Sequence, residues 1–125
     1  MHAKHWILAG ALLCGLGVVS GAFGAHALRS SLEAADQLEN WRTAVRYQVW
    51  HGLALLALAP TLPAAGRGRP VLALFVTGTL LFSGSIYGLA LGGPGSLLGP
   101  ITPIGGLLLI SGWALVAISG FRSRS

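Results

Sequence analysis

The residues of this 125-residue chain that could do chemistry are polar side chains set within apolar sequence. Thr43, Tyr47 and His51 are spaced by four, so a helix places them on one face, and Gln48 falls at the edge of that face. Imidazole, phenol and amide groups can hold a small molecule or relay a proton. We call the full candidate set the polar cluster: His26, Arg46, Tyr47, Gln48, His51, Ser83, Ser85, Tyr87 and Thr102.

The sequence lacks the residue patterns on which most enzyme chemistries depend. Glu33, Asp36 and Glu39 are the only acids and lie in one polar run, so no carboxylate falls in an apolar segment, which disfavours a proton-driven transporter. The single cysteine, Cys14, excludes an internal disulfide and a cysteine-rich metal site. No phosphate-binding glycine loop, nucleophile elbow or HExxH pattern is present. We predict no enzyme activity and no metal site.

His26 and His51 raise the question of a haem held by two histidines. They fall in successive apolar segments, at depths that differ by roughly 5 to 12 Å at about 1.5 Å per helical residue. Two axial ligands must face one iron, so this offset argues against haem. We predict that the protein carries no cofactor.

Composition indicates a membrane protein. The chain is 54% hydrophobic and 9% charged with a mean hydropathy of +0.73, whereas roughly a quarter of the residues of a soluble domain are charged. Four apolar segments are long enough to cross a hydrocarbon core of about 30 Å as helices, and they lack the alternation of strands. We predict an all-α fold, a four-helix transmembrane bundle with short loops in a single domain, 1–125, with spans at about 6–28, 41–62, 70–92 and 101–121.

The connectors differ in character. The polar run 29–40 contains Ser30 and Glu33 at the spacing of a capping box, which predicts a short surface helix between the first and second spans. Segments 60–69 and 92–100 are rich in proline and glycine and predict turns at the membrane surface.

The first apolar segment has an alternative interpretation as a secretory signal. Lys4 precedes it, and small residues at 25–27 could form a cleavage site. The apolar run is longer than a signal core of about 7 to 15 residues, so we expect the segment to be retained as a span.

The distribution of cations predicts the orientation. Cytoplasmic loops are enriched in Lys and Arg. The N-terminus, the second connector and the C-terminus share one side and carry five of the eight cations, while Arg29, Arg42, Arg46 and every acid lie on the other. We predict that both termini are cytoplasmic and that the polar cluster occupies the outer half. The net charge of +5 then reflects topology and attraction to anionic lipid, and we expect no nucleic acid partner.

Glycine spacing suggests where helices touch. Small residues four apart let helices approach closely in a bilayer. This pattern places packing glycines in the first and third spans, which we expect to be close neighbours: Gly17, Gly21, Gly24, Gly84, Gly88 and Gly92.

Four sequence blocks, 21–28, 43–51, 83–87 and 102–106, together resemble domain-of-unknown-function family 423, which is related to transmembrane protein 256. They occur in the expected order over most of the chain. The resemblance implies a four-helix, multi-pass protein of the bacterial cytoplasmic (inner) membrane, with mitochondrial relatives in eukaryotes and no established activity. The residues of the polar cluster other than Arg46 belong to its signature.

Two functions remain open from sequence. The first is a structural or accessory membrane component, either a homo-oligomer or a subunit of a larger membrane complex, in which polar groups hold helices together. The alternative is a passive pore or small-molecule binder whose cavity the polar cluster lines. A shared pocket around His26, His51 and Tyr87 would favour the binder, and hydrogen bonds from each to a neighbouring helix would favour the structural role.

Overall fold

The computed structural model describes residues 3–65 and 68–122. These residues form helices and contain no strand, so the prediction of an all-α fold is confirmed. The four long helices match the four predicted apolar segments to within four residues at each end. The elements in chain order are α1 (Ala3–Ala25), α2 (Arg29–Ala34), α3 (Leu38–Leu58), a 3-10 turn (Leu62–Ala65), α4 (Gly68–Ala90), α5 (Gly95–Leu98) and α6 (Ile101–Arg122).

Three stretches are long and apolar enough to cross a membrane by length and composition: Ala3–Ala25, Gly68–Ala90 and Gly95–Gly120. Helix α3 has 21 residues, about 32 Å of helix, but its first turns carry charged side chains such as Glu39 and Arg42. The fold is therefore an all-α membrane helical bundle.

The helices pack as a series of neighbours. Extensive contacts join α1 to α3, α3 to α4 and α4 to α6, and no comparable contact within the described residues joins α1 to α4. The expectation that the first and third spans are close neighbours is therefore wrong. Short connectors place consecutive long helices side by side, and the predicted packing glycines of α1 face α3 instead.

Glycines bring the paired backbones together. A Cβ added at Gly10 of α1 would lie 2.7 Å from the carbonyl oxygen of Gly52 in α3. In the α4–α6 pair, a Cβ at Gly105 would lie 2.9 Å from the carbonyl oxygen of Gly78. Real Cβ atoms do not approach backbone so closely, so these glycines allow the contacts. None of the four belongs to the predicted packing set.

The predicted glycines of α1 lie against α3. An added Cβ at Gly17 would meet the side chain of Val49 at 2.5 Å, and one at Gly24 would meet the ring of Trp41 at 2.5 Å. Gly21 is looser, with a side-chain atom of Val45 at 3.5 Å from its added Cβ.

The predicted glycines of α4 have other surroundings. An added Cβ at Gly88 would meet Leu98 of α5 at 2.8 Å, while at Gly84 and Gly92 it would meet no described atom within 4 Å. Gly92 instead ends α4, because its φ of +91° is left-handed and the N–H of Gly93 donates to Gly88 O at 2.8 Å. Its role is helix termination, which glycine spacing alone does not distinguish from packing.

The short helix between the first and second spans is present as α2, but the predicted capping box is wrong. The helix begins at Arg29, its preceding residue makes no side-chain cap, and Ser30 lies inside the first turn. Glu33 Oε1 instead accepts from Arg29 Nε at 2.7 Å, since a charged partner lies one turn away. At its other end Asp36 takes a left-handed φ of 57°.

Two apolar cores lie at opposite ends of the bundle. We call the end covered by α2 the connector end. There Leu32, Trp41 and Ala90 form a small buried cluster. The opposite end holds the larger core, in which Trp6 and Phe75 are fully buried. From the polar cluster, Tyr87 packs against the core at the connector end and Tyr47 against the larger core.

Candidate functional site

Gln48 connects three helices. Its side chain, on α3, is 6% exposed. The amide Nε2 donates to the backbone oxygen of Leu13 in α1 at 2.9 Å, and Oε1 accepts from the hydroxyl of Tyr87 in α4 at 2.7 Å. A buried amide has both a donor and an acceptor to satisfy, and here each is used on a different neighbouring helix.

Two serines of α4 extend this pattern to both flanks. Ser83 Oγ donates to the carbonyl oxygen of Ala44 in α3 at 2.7 Å. Ser85 Oγ shares a hydrogen bond of 2.5 Å with Thr102 Oγ1 of α6. The two serines are two residues apart on one helix, so they point toward different neighbours.

Trp41 adds a contact that the candidate set did not include. Its indole Nε1 donates to the backbone oxygen of Ser20 in α1 at 2.8 Å, and its ring centroid lies 4.6 Å from that of Tyr87. The ring covers Gly24, where no side chain obstructs it. Ser20 and Gly24 are small residues one turn apart on α1, and this spacing could have indicated that a large side chain packs there. We call these bonds of Trp41, Gln48, Ser83, Ser85, Tyr87 and Thr102 the polar network.

His51 is held by both of its ring nitrogens. Nδ1 lies 2.7 Å from the carbonyl oxygen of Tyr47, and Nε2 lies 3.0 Å from the indole nitrogen of Trp113 in α6. A carbonyl can only accept and an indole N–H can only donate, so Nδ1 carries the proton and the ring is neutral. A metal or haem iron would have to displace one of these bonds. Trp113 lies near the middle of α6, whereas tryptophan is usually found near the membrane interfaces. This unusual position is the sequence feature that could have marked Trp113 as a candidate residue.

A groove lies beside His51 between α3 and α6, with α4 beneath it. Its volume is about 670 Å³. Ring side chains dominate its surface, and the rings of Tyr47 and Phe82 are 4.5 Å apart between centroids. The groove is lined by Tyr47, Trp50, His51, Leu53, Phe82, Gly106, Leu109, Ile110 and Trp113.

Two members of the polar cluster lie apart from the rest. His26 lies one residue beyond the end of α1. It is exposed next to apolar side chains of that helix, and its ring makes no hydrogen bond with described residues. Arg46 is exposed on α3, where its nearest carboxylate is Glu39 at 3.8 Å. His26 and His51 therefore do not share a pocket. Among the described residues, no group of three or more His, Cys, Asp or Glu could hold a metal ion.

Comparison with known proteins places the chain in a family. Residues 20–106 match the family described as "Protein of unknown function (DUF423)". The chain belongs to the DUF423 family. Every side chain of the polar network lies within the matched range of this DUF423 protein. The resemblance noted from the four sequence blocks is confirmed.

Relatives of this DUF423 protein are membrane proteins named UPF0382. It is 41% identical to one from Staphylococcus haemolyticus, over 95% of this chain and 97% of the relative. Identity is also 41% to one from Schizosaccharomyces pombe, over 82% and 90%, and 36% to YwdK of Bacillus subtilis, over 95% and 98%. No solved structure matches. The DUF423 chain is thus a membrane protein with bacterial and eukaryotic relatives.

Proposed function

We propose that this DUF423 protein is a structural or accessory membrane component, a four-span bundle whose buried polar side chains fix the relative positions of its helices. The proposal rests on the hydrogen bonds of Gln48 in α3. Its one side-chain amide bonds to both α1 and α4. Side chains that already satisfy one another are suited to holding a scaffold.

The polar network reaches each of the three pairs of long helices that pack extensively. Gln48 and Trp41 bond α3 to α1, Ser83 and Tyr87 bond α4 to α3, and Ser85 bonds α4 to α6. Lipid is as apolar as the helix surfaces, so apolar contact alone specifies the register between helices weakly. Hydrogen bonds between particular atoms select one register.

The same pairing supports the structural role over a pore or binder at the polar cluster. A pore lining needs polar groups that remain free to replace water around the permeating species. In the polar network those groups are already used between helices, and His26 lies elsewhere.

The proposed topology has both termini on the cytoplasmic side of a bacterial cytoplasmic membrane, with α2 outside. The exposed charges of Glu39, Arg42 and Arg46 then lie at the outer surface, and α3 crosses below them. Green fluorescent protein fused to the C-terminus should fluoresce, and an alkaline phosphatase fusion there should be inactive. The reverse pattern would contradict the orientation.

A double-mutant cycle tests the role of Gln48. We expect Gln48→Leu to lower the free energy of unfolding in detergent by about 1–2 kcal/mol, because it removes two interhelical bonds. Tyr87→Phe should cost less, and the double variant should cost less than the sum because the two groups share a bond. Sodium dodecyl sulfate titration followed by circular dichroism measures these values.

Ser111→Ala provides the matched control. Ser111 is exposed and bonds only to Leu107 within α6, so its loss should leave stability unchanged. Wild-type stability in Gln48→Leu would reject the structural role of the amide. Native mass spectrometry after gentle solubilisation tests the accessory part, for which we expect a homo-oligomer or a bound partner subunit; a lone monomer would contradict it.

A further inference from the structure

A small cavity lies between α1 and α3 at the connector end. Its volume is about 300 Å³. Helix α1 lines it with residues that lack large side chains, Gly21, Gly24 and Ala25, and α3 contributes Trp41 and Val45 to its wall. This volume is at the lower end of the range of small-molecule sites, so the cavity can take a lipid headgroup but not a whole lipid.

Two arginines of α3, Arg42 and Arg46, complete the lining of this cavity. They are one turn apart on the helix, and about half of each side chain is exposed. Residues four apart lie on the same face of a helix, so both guanidinium groups can reach the same anion. A guanidinium group is planar and donates several N–H bonds, which suits it to the oxygens of a phosphate group.

The two guanidinium groups already converge on one oxygen atom. Glu39 Oε1 lies 3.4 Å from Arg42 Nη1 and 3.8 Å from Arg46 Nη2. Bonds between a cation and a carboxylate are usually about 2.7–2.9 Å long, the distance found between Arg29 and Glu33 on α2, which is 2.7 Å. Glu39 with its two arginines carries a net charge of +1, and the long distances leave donors for a second oxyanion.

The depth of Arg46 in the bundle places this charge close to lipid. Its neighbour Val45 lies opposite Gly21, 3.5 Å from the Cβ that a substitution there would add. Helix α1 continues from Gly21 to Ala25, about 6 Å of helix. Arg46 therefore begins about one turn inside the end of an apolar span, and a long cationic side chain at that depth extends toward the interface, where lipid phosphates lie.

We propose that this cavity binds the phosphate group of an anionic phospholipid. The phosphate oxygens accept from Arg42 and Arg46, the apolar lining contacts the glycerol region, and the acyl chains extend into the bilayer. The net positive charge favours an anionic headgroup over that of phosphatidylcholine, whose quaternary ammonium has the same sign as the arginines. This lipid site goes beyond the proposed structural role and does not rest on it.

Native mass spectrometry of the full chain in detergent tests the site. The protein is titrated with phosphatidylglycerol or phosphatidylcholine of the same acyl chains, and we expect selective retention of one phosphatidylglycerol. The double variant Arg42→Gln, Arg46→Gln should weaken this retention about tenfold or more. The double variant Lys4→Gln, Arg29→Gln is the matched control, because it removes the same charge outside the cavity. Glu39→Gln removes the competing carboxylate and should strengthen retention several-fold.

A second variant fills the cavity without changing the charge. Gly21→Leu adds an apolar side chain to the wall, and its Cβ makes ordinary contact with Val45 at 3.5 Å, so the helix pair should tolerate it. We expect several-fold weaker retention of phosphatidylglycerol. Gly15→Leu is the matched control on the same helix, because a Cβ there meets no described atom within 4 Å, and it should retain lipid as wild type does.

Four results would overturn the proposal. Equal retention of the two lipids, or wild-type retention in the variant that lacks Arg42 and Arg46, would exclude an anion site here. Equal loss in the Lys4 and Arg29 control would indicate general attraction between charges. Weaker retention in Glu39→Gln would mean that the carboxylate does not compete with a phosphate. Displacement of the lipid by equimolar inorganic phosphate would identify a soluble anion as the ligand. None of these results bears on the Gln48 cycle, which tests the structural role separately.

Discussion

Ser83 and Thr79 lie one turn apart on α4 and are equally buried, at 2% and 1% exposure, yet only one has a partner. Ser83, nearer the connector end, donates to the backbone of α3. Thr79 Oγ1 has no hydrogen-bond partner among the described residues. The two hydroxyls mark a change along α4. In the connector half the buried hydroxyls of the described residues are paired between helices, and in the opposite half Thr79 is not, although His51 and Trp113 are bonded there beside Phe75.

The half of the bundle opposite the connector end contains other buried polar groups that, like Thr79, have no partner among described residues. The indole N–H of Trp6 and the hydroxyl of Ser119 are also buried without a partner among described residues. This half relies on the larger apolar core, while the polar network occupies the connector half. The comparison fits the proposed structural role, in which packing holds the helices together and the hydrogen bonds of the connector half fix their register.

The largest effect should come from packing. Gly105→Ala places a Cβ 2.8 Å from Phe82 Cα and 2.9 Å from Gly78 O, and backbone atoms cannot move aside without separating α4 from α6. We expect a loss of about 3 kcal/mol or more, or failure to fold, measured by thermal melting in detergent. Gly106→Ala is the control, since its Cβ would make ordinary contact with Phe82 at 3.7 Å. If the two variants were equally stable, close backbone packing at Gly105 would not be what holds α4 against α6.

A smaller effect should come from one bond of the polar network. Ser83→Ala removes the hydrogen bond to Ala44 and should lower the free energy of unfolding by about 0.5–1.5 kcal/mol, the usual range for bonds between membrane helices. The measurement is the same denaturant titration used for Gln48. A loss below about 0.3 kcal/mol would mean that the connector half does not depend on this bond.

Thr79→Val should act in the opposite direction. Valine matches threonine in shape and removes a buried hydroxyl that has no partner among described residues, so stability should stay the same or rise by up to about 1 kcal/mol. Thermal melting beside Ser83→Ala gives the comparison directly. A clear fall in stability would show that Thr79 is bonded, and the contrast between the two halves would be lost.

The smallest effect should come from the end of α2, which covers the connector half. Asp36 has a left-handed φ of 57°, and Gln37 N–H donates to Leu32 O at 2.8 Å across it. Asp36→Gly should raise stability by a few tenths of a kcal/mol, about 0.5 at most, since glycine adopts this conformation without strain. Asp36→Asn serves as the control and should match wild type. A fall of about 1 kcal/mol in the glycine variant would reveal a role for the carboxylate.

Much of the candidate site could be predicted from sequence because polar residues in apolar segments are few. Gln48, Ser83, Ser85, Tyr87 and Thr102 were all in the candidate set, and all form bonds between helices. The set also included His26 and Arg46, which lie apart from these bonds. Polarity within a span selects candidates, but it does not tell which neighbouring helix each side chain faces.

The groove could not be predicted in the same way. Its residues come from three helices, and most of them are apolar or aromatic, so nothing in their types separates them from lipid-facing residues. Trp113 was outside the candidate set although it bonds to His51. Its mid-helix position was the one visible signal.

The sequence by itself determined the helices, the membrane environment and the polar residues that had to find partners, because hydropathy and helical period are local properties of the chain. Tertiary structure alone decided that α1 pairs with α3, that Gly92 ends a helix, and that His51 meets Trp113. These outcomes depend on which helix backbones approach one another. Lipid imposes no preference among apolar faces, so that choice is made only when small residues and polar atoms on different helices fit together.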